Sequence, residues 1–476
     1  MKKILCIISI LLLTTTVCPL VRAAEDIASG IGDQTAVEVT VYNSNIGLVK
    51  DQRTLTLGIG THDLRFMDVA SQIIPASVSI KSNSAPGGLQ VLEQNYEYDL
   101  LSSQKLMDKY VGQQVKLYTK NPYTDKEEIV TAELLANNGG EPVFRINNEI
   151  TFGYPGRIIF PKVPENLIAK PTLLWSLENQ TKSSQKIEVA YLTNGINWKS
   201  DYVLILDNKD VKADLSGWVT IDNNSGAEYL KAHLKLVAGD INRVRDEHMT
   251  EMAPPAAYAK KTAAGPSFKE ESFSEYHIYT LNRPSTIKQN QTKQISLLDA
   301  HDIPVAKKFV YYGADYYYRN RYGEVISNQK VGVFLEFANK KENDLGIPLP
   351  KGTVRVYKHD SEGSLQFIGE DRIQHTPKGE QVRIKLGNAF DVSASRKQMT
   401  WEKIAQDTYE TTIEASLRNH KDENIMVRVI EPIPGDWKIV ESSHKAIKAD
   451  ASTAEFDVDV PKDGEAKLTF KVRFKL

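Results

Sequence analysis

The chain of 476 residues contains very little cysteine. Its two cysteines, Cys6 and Cys18, both lie within residues 1–24, which have the features of a secretory signal peptide. Two early lysines form a positive n-region, the apolar run 4–17 is too short to span a bilayer comfortably, and small residues follow at a cleavage position. If export removes this segment, the mature protein has no disulfide, no thiol nucleophile and no cysteine-ligated metal site.

An excess of positive charge is also missing. Removing Lys2, Lys3 and Arg22 lowers the 59 basic residues to 56 against 61 acidic ones, so the mature chain would carry a net charge of −5. Such a surface provides no basic field for nucleic acid. No later apolar run reaches transmembrane length. The sequence therefore predicts an exported protein, periplasmic or extracellular, with no transmembrane span after signal removal.

Motifs of catalysis and cofactor binding are missing as well. The nine histidines are scattered, and the zinc-protease, nucleophile-elbow and phosphate-loop patterns do not occur. Four carboxylates between residues 201 and 240 could act as an acid–base pair or hold calcium: Asp201, Asp222, Glu228 and Asp240. Calcium loops need denser, alternating ligands, so strand-end and turn carboxylates are the favoured interpretation. The sequence predicts no catalytic residue, no cofactor and no metal ion.

Short strands separated by turn residues dominate the chain instead. Between residues 190 and 244, clusters of Gly, Asn and Asp at 194–195, 207–210 and 222–226 separate four apolar runs. Such residues provide the positive φ angles and local side-chain hydrogen bonds of tight turns. Apolar and polar residues alternate with period two between them, which is typical of strands with one buried face. The pattern predicts a β-meander.

The last two runs of this meander predict a hairpin with a defined register. Both apolar sets must lie on one face, because residues directly opposite each other in an antiparallel pair share a face. On that buried face we expect Leu215, Val219, Ile221, Leu230, Leu234 and Leu236. On the opposite face we expect Trp218, partly covered because of its size, together with Lys235 and His233, which is then a surface residue rather than a ligand or base.

The predicted fold is mainly β, with several domains of antiparallel sheets or sandwiches. One short helix is expected in the N-terminal region, where Ser102 or Ser103 can cap a stretch that ends at Gly112. The predicted domains are a signal peptide (1–24), an N-terminal β-rich domain with the helix (34–162), a central β domain (165–390) interrupted by a mobile linker (246–275), and a C-terminal immunoglobulin-like β-sandwich (405–476). Residues 391–401 are expected to form a connector.

One stretch, residues 311–323 with the sequence YYGADYYYRNRYG, is unusually rich in tyrosine and arginine. We call it the Tyr segment. Aromatic faces and guanidinium groups suit sugar rings or a protein partner, so the possible partner-binding residues are Tyr311, Tyr312, Tyr316, Tyr317, Tyr318, Arg319, Arg321 and Tyr322. The alternative is a strand pair with cross-strand aromatic packing or an inter-domain contact. For a binding role we expect at least three of the six tyrosines to be exposed on one face.

Four long stretches resemble a bacterial secreted family of unknown function that is related to mucoidy inhibitor A-like proteins. They read GINWKSDYVL, LSGWVTIDNNSGAEYLKAHLKLVAGDINRV, DLGIPLPKGTVRVYKHDSEGSLQFIGEDRI and LRNHKDENIMVRVIEP followed by WKIVESS. The resemblance covers residues 189–476 most clearly. It implies a secreted, multi-domain β protein and carries no established activity.

Two functional hypotheses follow from the sequence. The favoured one is an exported envelope or periplasmic protein that binds or assembles a protein or glycan partner without catalysis. The alternative is a hydrolase of envelope polysaccharide or peptide, in which a carboxylate pair forms between domains.

Overall fold

The computed structural model describes residues 25–97, 99–120, 126–138, 140–154, 156–164, 167–181, 184–239, 241–242 and 268–475. Strands make up 66% and helices 5%, so the predicted mainly β fold is confirmed. The predicted signal peptide and residues 246–267 of the predicted linker lie outside these described residues. Within the described ranges, no helix has both the length and the apolar character needed to cross a membrane.

Residues 25–194 contain thirteen described strands and one α-helix. These are β1 (Glu25–Ser29), β2 (Gln34–Tyr42), β3 (Ile46–Thr56), β4 (Gly60–Met67), β5 (Ser79–Ser82), β6 (Leu89–Glu97), α1 (Ser103–Tyr110), β7 (Gln114–Lys120), β8 (Glu127–Ala136), β9 (Val143–Ile146), β10 (Glu149–Phe152), β11 (Arg157–Ile159), β12 (Thr172–Asn179) and β13 (Ser184–Asn194).

From residue 196 onward the described chain again consists mainly of strands, with short 3₁₀ turns between some of them. Its strands are β14 (Ile196–Leu206), β15 (Lys212–Asn223), β16 (Tyr229–Ala238), β17 (Phe268–Phe273), β18 (Tyr276–Leu281), β19 (Ser285–Ile287), β20 (Gln291–Pro304), β21 (Ala306–Tyr312), β22 (Ile326–Ala338), β23 (Gly352–His359), β24 (Leu365–Ile373), β25 (Gln381–Ala405), β26 (Thr408–Asn419), β27 (Ile425–Pro432), β28 (Asp436–Ser442), β29 (Ala446–Lys448), β30 (Thr453–Val460) and β31 (Gly464–Lys475).

The described chain forms two compact units. The first contains residues up to Ala36, Asp51–Ser71 and Pro75–Ala190, and the second contains Val37–Lys50, Gln72–Ile74 and the chain from Tyr191 onward. The first unit holds a four-stranded sheet in the order β1-β4-β12-β6 and a five-stranded antiparallel sheet in the order β10-β9-β8-β7-β11.

The predicted helix is confirmed as α1, which packs on the five-stranded sheet of the first unit. Ser102 is its N-cap, and the Ser102 hydroxyl accepts a hydrogen bond from the Lys105 backbone N–H at 3.1 Å. Leu106, Met107 and Tyr110 recur at three- and four-residue spacing, and all three contact the core of that sheet.

The turns predicted within the meander are confirmed, but the predicted meander is wrong, because only its middle pair, β14 with β15, forms, and β13 and β16 belong to another sheet. Strand β15 pairs with β14 and β20, whereas β16 pairs with β18, with β19 and, in parallel, with β2. Gly195, in the first turn, has φ +78°, and a Cβ there would lie 2.8 Å from the Asn224 carbonyl oxygen. A residue larger than glycine would therefore be strained at this position.

Burial of the apolar residues predicted in β15 and β16 has one exception, and Ser216 and Thr220 on the opposite phase of β15 are buried as well. Five of the six apolar residues expected on the buried faces are buried: Leu215, Val219, Ile221, Leu234 and Leu236. Leu230 is exposed, because β16 has an irregularity between residues 229 and 232 where Lys231 adopts φ +48°. His233 is exposed and Trp218 is half-buried, as predicted.

Nine strands of the second unit form a nearly closed sheet in the order β28-β31-β26-β25-β22-β21-β27-β30-β29. It combines strands from the predicted central domain with those of the predicted C-terminal sandwich. Residues 391–401, predicted as a connector, belong instead to the 25-residue strand β25, so that prediction was wrong. Phe268–Phe273, predicted as linker, also form a strand, because Phe268 is buried and β17 pairs along its length with β18.

Candidate functional site

The Tyr segment lies between β21 and β22 and begins as the last two residues of β21. Residues Asp315–Tyr318 form a 3₁₀ turn rather than a strand. Three residues complete one such turn, so three consecutive tyrosines point in three different directions. Tyr316 points outward and is 39% exposed, whereas Tyr317 and Tyr318 point into the core.

Beneath the Tyr segment lies a buried ion pair between Arg396 on β25 and Glu431 on β27. The exposed fractions of these residues are 1% and 0%. Both terminal nitrogens of the guanidinium donate to the carboxylate, Nη1 to Oε1 and Nη2 to Oε2 at 2.9 Å. This bidentate arrangement is the strongest geometry available to such a pair.

Two tyrosines of the segment complete this buried cluster. The Tyr318 hydroxyl donates to Glu431 Oε2 at 2.9 Å, and the Tyr317 ring lies over the Arg396 guanidinium, with 4.2 Å between Cζ and the ring centroid. Burial and the neighbouring Glu431 charge raise the pKa of the Tyr318 hydroxyl well above its ordinary value. Tyr318 therefore remains a hydrogen-bond donor at neutral pH.

The backbone of the Tyr segment is fixed by Gln398, two residues beyond Arg396 on β25. Gln398 Nε2 donates to the carbonyl oxygens of Tyr317 at 3.1 Å and Asn320 at 3.3 Å, and Gln398 Oε1 accepts from the Tyr322 N–H at 2.6 Å. The tyrosine side chains therefore project from a backbone that is held in one conformation by β25.

The exposed tyrosines belong to two separate clusters. Tyr316 packs against Tyr317 with 4.3 Å between ring centroids and against half-buried Tyr322 at 5.6 Å. Tyr312, 49% exposed, instead packs edge-on against Phe334 at 6.4 Å.

The expectation of at least three exposed tyrosines on one face was wrong, since only Tyr312 and Tyr316 are exposed. Tyr311 is buried, and burial raises the pKa of its hydroxyl to about 12. Arg319 and Arg321 are both exposed, and Arg319 pairs with Asp315. The partner-binding role of the segment stays a prediction, and the surface left for it consists of Tyr316, half-buried Tyr322 and the two arginines.

Comparison with protein families gives a match over the second part of the chain. The family described as Domain of unknown function (DUF4139) matches residues 187–476, more than half of the chain. The chain belongs to this family. No curated protein matches the chain. The Tyr segment, Arg396 and Glu431 all lie within the DUF4139 domain.

The carboxylates singled out in the sequence of the DUF4139 domain have different partners. Asp201 accepts hydrogen bonds from Thr220 Oγ1 at 2.8 Å and Arg355 Nη1 at 3.2 Å, and Asp222 accepts one from Thr292. Glu228 is exposed, and Asp240 lies outside the described residues. Among the described residues, no group of three or more His, Cys, Asp or Glu side chains could hold a metal ion.

The buried ion pair of the DUF4139 domain was missed in the sequence, although a signal for it exists. Along β27, Ile425, Val427 and Val429 share one phase and are buried, and Glu431 continues the same phase. A carboxylate at an inward position of a strand needs a partner, because an unpaired buried charge is very costly. The identity of that partner depends on the pairing of distant strands.

A second missed feature is Phe390 on β25, which is 99% exposed. Phe390 lies at a shift in the register between β22 and β25. It is next to a cavity of about 230 Å³ that Phe309, Val333 and Leu386 help to line. Bulges commonly turn a side chain away from its regular direction, at strand edges and next to functional sites. The register shift therefore explains why Phe390 faces solvent.

Proposed function

We propose that this protein is an exported, non-enzymatic envelope or periplasmic protein that binds a protein or glycan partner through the Tyr segment. The N-terminal sequence supports export, and the resemblance of the sequence supports a relationship with mucoidy inhibitor A-like proteins. The observation that carries the binding proposal is a fixed aromatic and cationic surface composed of Tyr316, Tyr322, Arg319 and Arg321.

This surface suits binding because it is ordered before any partner arrives. Ordering a loop upon association opposes binding, and a segment already held by Gln398 and Arg396 avoids most of that cost. Tyrosine and arginine are also among the residues that contribute most to interface energies. Their mixed apolar and polar character suits both a protein surface and a sugar ring.

The test is affinity capture from native envelope with the purified mature protein as bait. A triple variant, Tyr316→Ala with Arg319→Ala and Tyr322→Ala, should lose the partner that the wild type captures. Arg418→Ala is the matched control, since Arg418 is an exposed arginine on β26 outside the Tyr segment. Protease treatment of the envelope before capture separates a protein partner from a glycan.

Equal capture by the wild type and the triple variant would exclude this surface as the binding site. Release of sugar or peptide fragments by the purified protein would contradict the non-enzymatic role.

A further inference from the structure

A cavity of about 340 Å³ lies in the second unit among β17, β18, β20 and the segment that precedes β23. Its apolar lining includes Phe268, Leu297, Leu298 and Leu345, all of which are buried. The volume is at the small end of the range found for ligand sites, roughly 300–1,000 Å³. The cavity therefore suits a small molecule with a compact apolar body.

An irregularity in β20 shapes the floor of this cavity. Gly217 on β15 is opposite Leu298 and Trp218 is opposite Ser296, so Leu297 is an extra residue in β20. This bulge places two consecutive leucines in the cavity lining, where regular alternation would allow only one. Gly217 makes room for them, since a Cβ there would lie 2.9 Å from Leu298 Cγ.

The polar part of the lining is acidic. Three carboxylates contribute, Glu270 on β17, Asp299 on β20 and Asp344, and the described residues of the lining include no lysine or arginine. His277 Nδ1 lies 2.8 Å from Glu270 Oε1, and His301 Nε2 lies 3.6 Å from Asp299 Oδ2. An acidic lining of this kind favours a positively charged group over a neutral or negative one.

We infer that this cavity binds a small amphipathic cation, an apolar body that carries one primary ammonium or guanidinium group. The apolar body occupies the space beside Leu297, Leu298 and Phe268, and the cationic group faces Glu270, Asp299 and Asp344. Apolar burial provides attraction without direction, whereas the carboxylates select for positive charge. This site is independent of the Tyr segment and of the partner proposed for it.

Three probes with the same ring and different charge test the inference: 2-phenylethylamine, 2-phenylethanol and phenylacetate. Binding to the mature protein is measured by ligand-observed NMR titration at pH 8. We expect the amine to bind at least about fivefold more tightly than the alcohol, which corresponds to about 1 kcal/mol, and phenylacetate to bind most weakly. Raising the salt concentration should weaken binding of the amine and leave binding of the alcohol nearly unchanged.

Two variants that preserve side-chain shape locate the site. Glu270→Gln and Asp299→Asn should each weaken amine binding about two- to fivefold, the range expected for a partly exposed charge pair, and leave alcohol binding unchanged. Glu465→Gln is the control, since it removes one exposed carboxylate that pairs with Arg418 on β26. Thermal unfolding verifies that each variant is folded.

Several results would overturn the inference. These are equal affinity for amine and alcohol, no saturable binding of the amine, or an equal effect of Glu465→Gln and the cavity variants. If either cavity variant fails to fold, the comparison of the three probes and their salt dependence in the wild type decides the question.

Discussion

The substitution Glu431→Gln tests how firmly the buried ion pair supports the Tyr segment. Glutamine keeps the size of the side chain and one oxygen that can accept from Tyr318, but it removes the negative charge. Arg396 would then hold its positive charge in a core where its exposed fraction is 1%. Its bidentate partner would become a single neutral acceptor.

Removing one partner of a buried pair costs about 3–5 kcal/mol, because the remaining charge has no compensation. We expect Glu431→Gln to fall in this range. Glu465→Gln breaks an exposed pair with Arg418, whose side chains are 50% and 39% accessible, and should cost at most about 1 kcal/mol. The double variant Arg396→Met with Glu431→Leu should be less destabilised than the sum of its single variants, because it removes both charges together.

Urea unfolding followed by tryptophan fluorescence measures these differences. Trp401 and Trp437 both contact the core that contains Glu431, so their emission follows the unfolding of this region. A loss below about 1 kcal/mol for Glu431→Gln would show that the Arg396 charge does not depend on this carboxylate. Additive losses in the double variant would show that the two charges are not coupled and would contradict a buried ion pair.

Two further substitutions test the packing and the electrostatics of the second unit. Gly313→Ala should destabilise the protein by about 1–3 kcal/mol in the same assay, because the added Cβ would overlap the fixed carboxylate of Glu431. Burial raises the pKa of Asp210, but hydrogen bonds from Lys307 and Lys358 outweigh burial and hold this pKa below its ordinary value. Asp210→Asn should therefore cost about 1–3 kcal/mol at pH 7. The difference from the wild type should shrink as pH falls below the ordinary aspartate pKa and vanish once pH is below the lowered pKa of Asp210; a difference independent of pH would contradict this assignment.

Local patterns predicted the elements of this fold better than their pairing. The alternation around Leu215 and Leu234 correctly gave strands and buried faces, because burial on one face of a strand imposes period two. The hairpin between β15 and β16 was wrong because pairing depends on competing partners. Strand β16 lies parallel to β2, almost two hundred residues earlier, and nothing local in β16 specifies that contact.

The same limit applies to the candidate site. The sequence predicted a cluster of aromatic and cationic residues, but the direction of each tyrosine depends on a 3₁₀ turn that forms over Arg396. Residues 391–401 were not recognised as a strand because the alternation of apolar residues stops after Ala394. The next two inward-facing positions of β25 are Arg396 and Gln398, which are polar but buried. Arg396 and Gln398 both contact the Tyr segment. The apolar alternation of β25 is therefore interrupted at the residues that support the candidate site.

The most direct test of this account is hydrogen exchange of the Tyr segment in the free protein. The Tyr322 N–H donates to Gln398 Oε1, and the Arg319 N–H donates to the Tyr316 carbonyl oxygen at 3.1 Å. If the segment is ordered before binding, both amides exchange slowly in the wild type, and Gln398→Ala releases the Tyr322 amide while β26 stays protected. Exchange of both amides at unprotected rates in the wild type would contradict the proposal that the Tyr segment is ordered before a partner binds.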